Sequence, residues 1–565
     1  MRSHGSWGSL EDVMIVFLNR KSHELFRMSK EEYELYQEAE KKAKADEAKS
    51  SDDKKSSDKK DNEKKASDKK DEPKTKDIEI EFENIDERIV RLTPYSGAVS
   101  SYTISKDGKS LYYIISLESG YDMWQMDLRD RSNKIVQKGI GSGSLVWDKK
   151  MENLFHFGGS MKRFKGGTPT APTTISVRSE MSYDPAEERA YMLDRIYHQE
   201  KERFYTESMH GVDWEAMYKN YAQFLPYINN NYDFAEMASE LLGELNVSHT
   251  GCTYSGDSDS NSEITAQLGA IFDMKAKGNG LTIAEVLAGG PLDKASMDIK
   301  SGDVIEKIDG VEIKEGMDYF PLLNRKGGKR TLLSLYRPAD GKRWEQVMTP
   351  TSVGTINRLL YNRWIKQRAA DVERLSNGRL GYVHIESMND GSFRSIYADI
   401  LGKYNHCDGI VIDTRFNGGG RLHEDVEILF SGEKYLTQVI RGKEACDMPS
   451  RRYNKPSIMI TCEANYSNAH GTPWVYQTMG IGKVVGMPVP GTMTSVSWER
   501  LQDQTLVFGI PVVGYRMENG EYLENHQLEP DIKVANSPEV IITGRDEQLE
   551  AAVKALLEEI DSKKK

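Results

Sequence analysis

After Trp364 the chain alternates between short, almost wholly apolar segments and amphipathic ones, and this alternation restricts the fold more than any other feature. GRLGYVHIES, CDGIVIDTRFN, PSIMITCEA and KVVGMPV are the apolar runs, with helical stretches between them. Strands apolar on both faces need cover on both faces. The pattern therefore predicts an α/β domain over 355–545, a sheet covered by helices. RDEQLEAAVKALLEEI then reads as an amphipathic helix ahead of a lysine-rich end, a separate C-terminal helix and tail at 546–565.

The remainder is more varied. At 565 residues the chain has room for about three to five domains. Residues 41–77 contain no aromatic residue and no Val, Ile, Leu or Met. Nothing there can offset ordering entropy by burial, so a solvated, disordered charged insertion is expected. Strand-like runs flank it: Val13–Leu18, His23–Met28 and Ile78–Phe82. TISKDGKSLYYI at 103–114 and LVWDKKMENLFHF at 145–157 each read as strand, charged turn and aromatic-rich strand. A repeat of about 40 residues suggests β-propeller blades. Two blades cannot close a ring, so 1–165 is expected to be the last blades of a truncated propeller.

Over 180–255 the apolar positions recur every three to four residues, which predicts a helical subdomain, with Asp213 capping WEAMYKNYAQFLPYI. Short strands follow over 260–352, and one of them, within Gly302–Gly310, closes in a tight Asp-Gly turn.

Charge and cysteines exclude several functions. The 76 basic and 88 acidic residues give a net charge of −12, so no global basic field favours nucleic acid or an anionic membrane. No apolar run approaches the ~20 residues of a spanning helix. Val13–Leu18 follows two acids and has neither the basic flank nor the cleavage site of a signal peptide. The opening Met-Arg-Ser-His-Gly-Ser reads as an expression scar, which leaves room for a removed targeting segment. Cys252, Cys407, Cys446 and Cys462 form no CxxC pair, which argues against a zinc site and a disulfide scaffold. No metal or cofactor is expected.

Four motifs carry chemistry. Asp413-Thr414-Arg415-Phe416-Asn417-Gly418-Gly419-Gly420 follows an apolar strand, and three glycines expose backbone N–H groups that could cradle a phosphate or an oxyanion. The spacing is neither GxGxxG nor a P-loop. Thr461–Gly471 places Ser467 where a strand turns into a helix, so that its hydroxyl would project at the strand end. Among eleven histidines, His249 stands out between helix and loop beside Ser248. Ser–His chemistry needs such a base and an orienting partner. Glu524 lies a few residues before Pro530 and by itself reads as a solvated carboxylate.

GVDWEAMYKNY…ELNVSHTG, a Gly-Asp-Val-Ile strand module, DTRFNGGG, ITCEANYSNAHG and ENHQLEPDI occur in that order. From about residue 80 to the C-terminus this resembles the tricorn proteases, within the larger group that includes tail-specific processing peptidases. The resemblance implies a multidomain chain: a partial β-propeller, a helical subdomain, a PDZ-like β domain and a crotonase-like (ClpP-type) α/β catalytic domain. It implies a serine peptidase acting on oligopeptides, with Ser467 as nucleophile, His249 as general base, Ser248 holding the imidazole tautomer and Glu524 accepting from Ser248. The N–H groups of Asn468 and Gly420 would form the oxyanion hole, and Gly418, Gly419 and Gly420 would line the substrate. It also implies a cytoplasmic homo-oligomer, hexameric in tricorn-like enzymes, whose assembly a truncated propeller would disturb; a removed signal peptide would instead imply the periplasm.

Two departures stand out. Tricorn has Asp directly after the nucleophile, where this chain has Asn468, so a charged substrate contact is expected to be lost. The acidic residue behind tricorn's preference for basic P1 side chains has no secure counterpart. Tail-specific peptidases use a Ser–Lys dyad with the lysine about 25 residues after the serine; Gly491–Ser495 holds no lysine, which favours the histidine-based tetrad. The alternative is a catalytically inactive, peptide-binding PDZ scaffold on the same fold. Leu268-Gly269-Ala270-Ile271 would then capture a peptide C-terminus, although it reads equally as a spacer.

Overall fold

The apolar runs after Trp364 become an all-parallel sheet. Its strands lie in the order Leu380–His384, Gly409–Asp413, Ser457–Thr461, Lys483–Gly486, Ile532–Lys533. The computed structural model describes residues 11–52, 78–117, 120–165, 172–256 and 261–563. It divides into two units, Met1–Ser182 and Tyr183–Lys565.

Side-chain alternation sends neighbouring residues of one strand to opposite layers. Ile410, Ile412 and Met459 pack with residues of the helices Asp390–Ala398, His423–Phe430 and Asn468–Thr478. Val411, Ile458 and Ile460 pack with residues of Val353–Leu375 and Glu547–Lys563. The last helix is therefore part of the sheet's cover and not a separate tail. Leu549, Val553, Leu556 and Ile560 are buried in that layer. At about 1.5–3 kcal/mol for each side chain, they hold the helix firmly to the sheet.

The helices expected over 180–255 form as Pro185–Arg203, Trp214–Ala222 and Asn231–Gly243, and Asp213 Oδ1 caps the second by accepting from Ala216 N at 3.0 Å. They are not an independent body. Met192, Leu193, Phe234 and Leu241 share one core with Leu506, Phe508 and Ile510. Those three lie on Leu506–Gly514, the middle strand of an antiparallel sheet with Cys252–Tyr254 and Thr494–Arg500.

Between these parts, strands from Ala270 to Met348 form a six-stranded sheet around Ile283, Ile305, Ile308, Leu333 and Leu335. Its Val304–Ile308 and Val311–Glu312 strands are joined through Asp309 (φ 47°) and Gly310 (φ 82°), a two-residue turn with both φ positive.

In the first unit, the two repeated segments are halves of four-stranded antiparallel meanders. One runs Ala98–Ile104, Ser110–Ser116, Asp122–Asp127, Asn133–Gln137. The other runs Ser144–Trp147, Asn153–Phe157, Met161–Lys165, Thr173–Ile175, and so extends past the expected boundary at 165. Three expectations fail nearby, the first being the strand at Ile78–Phe82, which is irregular chain. His23–Met28 is not a strand: Arg20–Arg27 is a helix, begun by Asn19, whose Oδ1 accepts from Ser22 N at 2.9 Å. The charged stretch does not begin as disorder at 41, because Lys30–Asp52 is one helix. Ala, Glu and Lys favour helix without burial, and pairs such as Lys44–Glu40 (3.3 Å) add to it. Residues 53–77 of the expected insertion lie outside the described residues. Among the described residues, no helix is long and apolar enough to cross a membrane.

Candidate active site

Ser467 sits at the C-terminal end of the fully buried strand Ser457–Thr461. Asn465 shapes the turn that follows: its Oδ1 accepts from Cys462 N (3.2 Å) and its Nδ2 donates to Thr414 Oγ1 (2.9 Å). Ser467 then adopts φ 58°, ψ −126°. This is a costly conformation for a residue with a Cβ, sustained only where the surroundings over-determine it. They do so here: Ser467 N donates to Thr492 Oγ1 at 3.0 Å, and Tyr466 N donates to Asn417 O at 3.0 Å. The helix Asn468–Thr478 starts at the next residue. Among the described residues the Asn468 N–H has no hydrogen-bond partner, as is usual for the first turn of a helix.

The glycine run meets this turn. Below it, Arg415 and Asp413 are buried and joined by bonds of 2.6–3.2 Å. Arg415 also reaches Asp546 (2.9 Å) and Gln548 (3.1 Å), and Tyr382 donates to Asp413 at 2.9 Å. A buried ion pair holds only when its remaining donors and acceptors are satisfied, and these are. Asn417 donates to Ile385 O (2.8 Å) and accepts from Gly419 N (2.8 Å). A Cβ on Gly419 would lie 2.6 Å from Ser467 Cβ and 3.1 Å from Ser467 Oγ, so the glycine abuts the serine hydroxyl. A Cβ on Gly420 (φ 135°) would lie 2.2 Å from Met388 O. Gly420 N–H has no partner among the described residues, whereas Gly419 N–H is committed to Asn417. Gly418 is exposed, with open space where a side chain would go.

The third component comes from the turn after Asn231–Gly243. Ser248 and Glu524 are both buried. Ser248 N donates to Glu524 Oε1 at 2.5 Å, and Ser248 Oγ donates to Glu524 Oε2 at 3.0 Å. Ser248 Oγ lies 2.9 Å from His249 Nδ1. His249 N donates to Tyr466 Oη at 2.7 Å, and the two rings stand 4.9 Å apart. The histidine thus packs against the residue just before Ser467. Among the described residues no hydrogen bond joins His249 to the Ser467 hydroxyl. Such contacts are often long without substrate and tighten when it binds.

Electrostatics suits a base. Burial pushes the His249 imidazole down to about 4, which keeps it neutral near pH 7. Burial raises the Glu524 carboxyl, opposed by its two bonds from Ser248.

Sequence reasoning missed four residues. Thr492 holds the Ser467 amide, and it stands 25 positions after the serine, where a Ser–Lys dyad would have its lysine. Thr494 Oγ1 touches both Ser248 Oγ and His249 Nδ1. Tyr466 seats the histidine. Gly509 lies beneath it, since a Cβ there would fall 2.2 Å from His249 O. Asn468 also reads differently. Its carboxamide is buried and caps His423–Phe430, accepting from Leu422 N (2.7 Å) and His423 N (3.1 Å) and donating to His423 Nδ1 (2.7 Å). The side chain serves the fold.

Comparison with known proteins gives a consistent picture. Residues 379–534 match Peptidase family S41, and residues 185–243 match the Tricorn protease C1 domain. Tricorn protease homolog 1 of Streptomyces coelicolor is 28% identical over 422 residues, covering 71% of this chain and 38% of the relative. Tricorn protease of Thermoplasma acidophilum is 22% identical over 493 residues, covering 84% of this chain and 45% of the relative. The crystal structure of the tricorn protease shares the fold with a TM-score of 0.75 at 19% identity, covering 86% of this chain and 49% of that one. The chain resembles tricorn protease over most of its length, and its resemblance to Peptidase family S41 is confined to residues 379–534. It spans less than half the length of these relatives.

Proposed function

We propose that this chain, as its likeness to tricorn protease implies, is a serine peptidase hydrolysing peptide bonds of oligopeptides through a Ser467–His249–Ser248–Glu524 tetrad and an acyl-enzyme. One observation carries the reading. Ser467 is held at positive φ beside the glycine run, the N–H groups of Asn468 and Gly420 have no partner among the described residues, and a half-buried histidine, backed by the buried Ser248 and Glu524, packs against the preceding tyrosine.

In this reading Ser467 Oγ attacks the peptide carbonyl and its proton passes to His249 Nε2. The imidazolium Nδ1–H donates to Ser248 Oγ, whose own proton is directed to Glu524. The negative charge on the former carbonyl oxygen meets the N–H groups of Asn468 and Gly420, each worth about 3–4 kcal/mol of barrier. His249 Nε2 returns the proton to the leaving amine as the C–N bond breaks. Water then attacks the acyl-enzyme by the same route and restores Ser467. Gly418 and Gly419 line the approach.

The proposal extends to architecture. The two meanders serve as propeller blades, the six-stranded sheet as a PDZ-like domain and the parallel sheet as a crotonase-like catalytic domain. A homo-oligomer in the cytoplasm completes the picture, with peptide substrates and neither nucleic acid nor membrane as partner. A fluorophosphonate probe should label Ser467 in the native chain and not in Ser467→Ala. A folded native chain that takes up no label would favour the inactive peptide-binding scaffold.

A further inference from the structure

We propose that Thr494 is a positioning residue for His249, a second hydroxyl that sets the imidazole's tautomer alongside Ser248. The inference rests on the peptidase reading above and adds a residue to it.

Three atoms form a near-equilateral triangle. Thr494 Oγ1 lies 2.9 Å from Ser248 Oγ and 3.0 Å from His249 Nδ1, and Ser248 Oγ lies 2.9 Å from the same Nδ1. Thr494 is 3% exposed, so water does not compete for these contacts. Counting protons assigns the directions. A hydroxyl has one proton and two lone pairs. The Ser248 proton is spent on Glu524 Oε2 at 3.0 Å. Ser248 Oγ can then meet Nδ1 only as an acceptor, which places a proton on Nδ1. The Thr494 proton is taken either by Ser248 Oγ or by Ser248 O at 3.3 Å. Thr494 Oγ1 is therefore also an acceptor toward Nδ1. One N–H is shared between two hydroxyl oxygens, and Nε2 is left with its lone pair free, the form a general base requires.

The second acceptor acts on the imidazolium as well. When Nε2 takes a proton, the positive ring keeps two oxygen partners at Nδ1. The groups facing the ring are Ser248 with Glu524 behind it, the Tyr466 ring, and Thr494. Glu524 reaches the histidine through Ser248, and among the described residues the hydrogen bonds to the ring come from the Ser248 and Thr494 hydroxyls, so losing one weakens its polar support.

The segment carrying Thr494 is anchored at both halves of the site. Thr492 accepts from Ser467 N at 3.0 Å, and Gly491 O accepts from Asn525 N at 2.9 Å, next to Glu524. Thr494 thus has a fixed position relative to both the serine and the carboxylate.

The test compares the rate at which a fluorophosphonate labels Ser467 in the native chain, Thr494→Val and Thr494→Ser, across pH. Valine keeps the shape and removes the hydroxyl. Labelling should slow by about 10-fold or more, and the acid limb should move to lower pH because the imidazolium loses an acceptor. Serine should restore both to near native values. Thr494→Ala carries the same expectation should valine disturb packing. Labelling of Thr494→Val and Thr494→Ala at the native rate and with the native pH profile overturns the proposal while leaving the peptidase reading intact. A native chain that does not label at all removes the peptidase reading, and this one with it.

Discussion

The two halves of the candidate site are built on opposite principles. The Ser467 half is backbone geometry: a positive-φ serine, an abutting Gly419 and N–H groups of Asn468 and Gly420 that have no partner among the described residues, anchored beneath by the Arg415–Asp413–Asp546 ion cluster. The His249 half is a side-chain relay set in a buried and mostly neutral environment. The first buries charge to make a loop rigid. The second uses burial to keep an imidazole unprotonated. Rigidity is needed where an oxyanion must meet fixed donors, and a protonation state is needed where a proton must move.

Perturbing each half should therefore fail in a different way. The largest effect is expected from Ser467→Ala, which should lower peptide hydrolysis on the order of 10⁴–10⁶-fold with an unchanged circular dichroism spectrum. Residual turnover near the native rate would mean the geometry of the elbow serves something else. Arg415→Met should act on stability, because it leaves Asp413 buried without its guanidinium partner and Asp546 with only the longer Arg368 contact at 3.6 Å. A loss of about 3–5 kcal/mol in urea unfolding is expected; a variant as stable as the native chain would show that the cluster does not anchor the glycine run. Gly420→Ala combines a Cβ clash at Met388 O with loss of the donor's position, and hydrolysis should fall roughly 10²–10³-fold. A fully active variant would remove Gly420 N–H from the oxyanion hole.

The smallest effect concerns pH. His249 serves as base only when neutral, and burial lowers its titration to about 4. Acidification should thus abolish activity only on passing through about pH 4. At pH 5 about nine tenths of the sites would still hold a neutral base, against about 3% for an ordinary imidazole near 6.5. An acid limb centred near 6.5 in the pH profile of hydrolysis would show that the histidine half is open to water.

Particular residues mark how much was legible in advance. The parallel sheet could be read from GIVID and SIMIT because residues buried on both faces leave no polar alternation. Asp213 and the Asp309-Gly310 turn were legible because a cap and a tight turn are local chemistry. The helix Lys30–Asp52 escapes an argument from burial because intrinsic helix propensity orders it, and the C-terminal helix looks separate in sequence because its partners are strands far away in the chain. Asn468 offers the sequence reading only its backbone N–H, because nothing near it in sequence reveals that its side chain caps a helix 45 residues earlier.

By itself the sequence determined what adjacent residues can impose on one another: strand periodicity, helix caps, glycines free to take positive φ, and a Ser248-His249 pair at a turn. Only the tertiary structure decided which of these meet. Tyr466 reaches His249 across 217 positions, Thr494 reaches Ser248 across 246, and Glu524 reaches Ser248 across 276. Those meetings follow from Cys252–Tyr254 pairing with Leu506–Gly514 and from a helical core completed by the same strand. Sheet pairing and shared burial are set by the whole chain's packing, and no residue carries that information in its immediate neighbours.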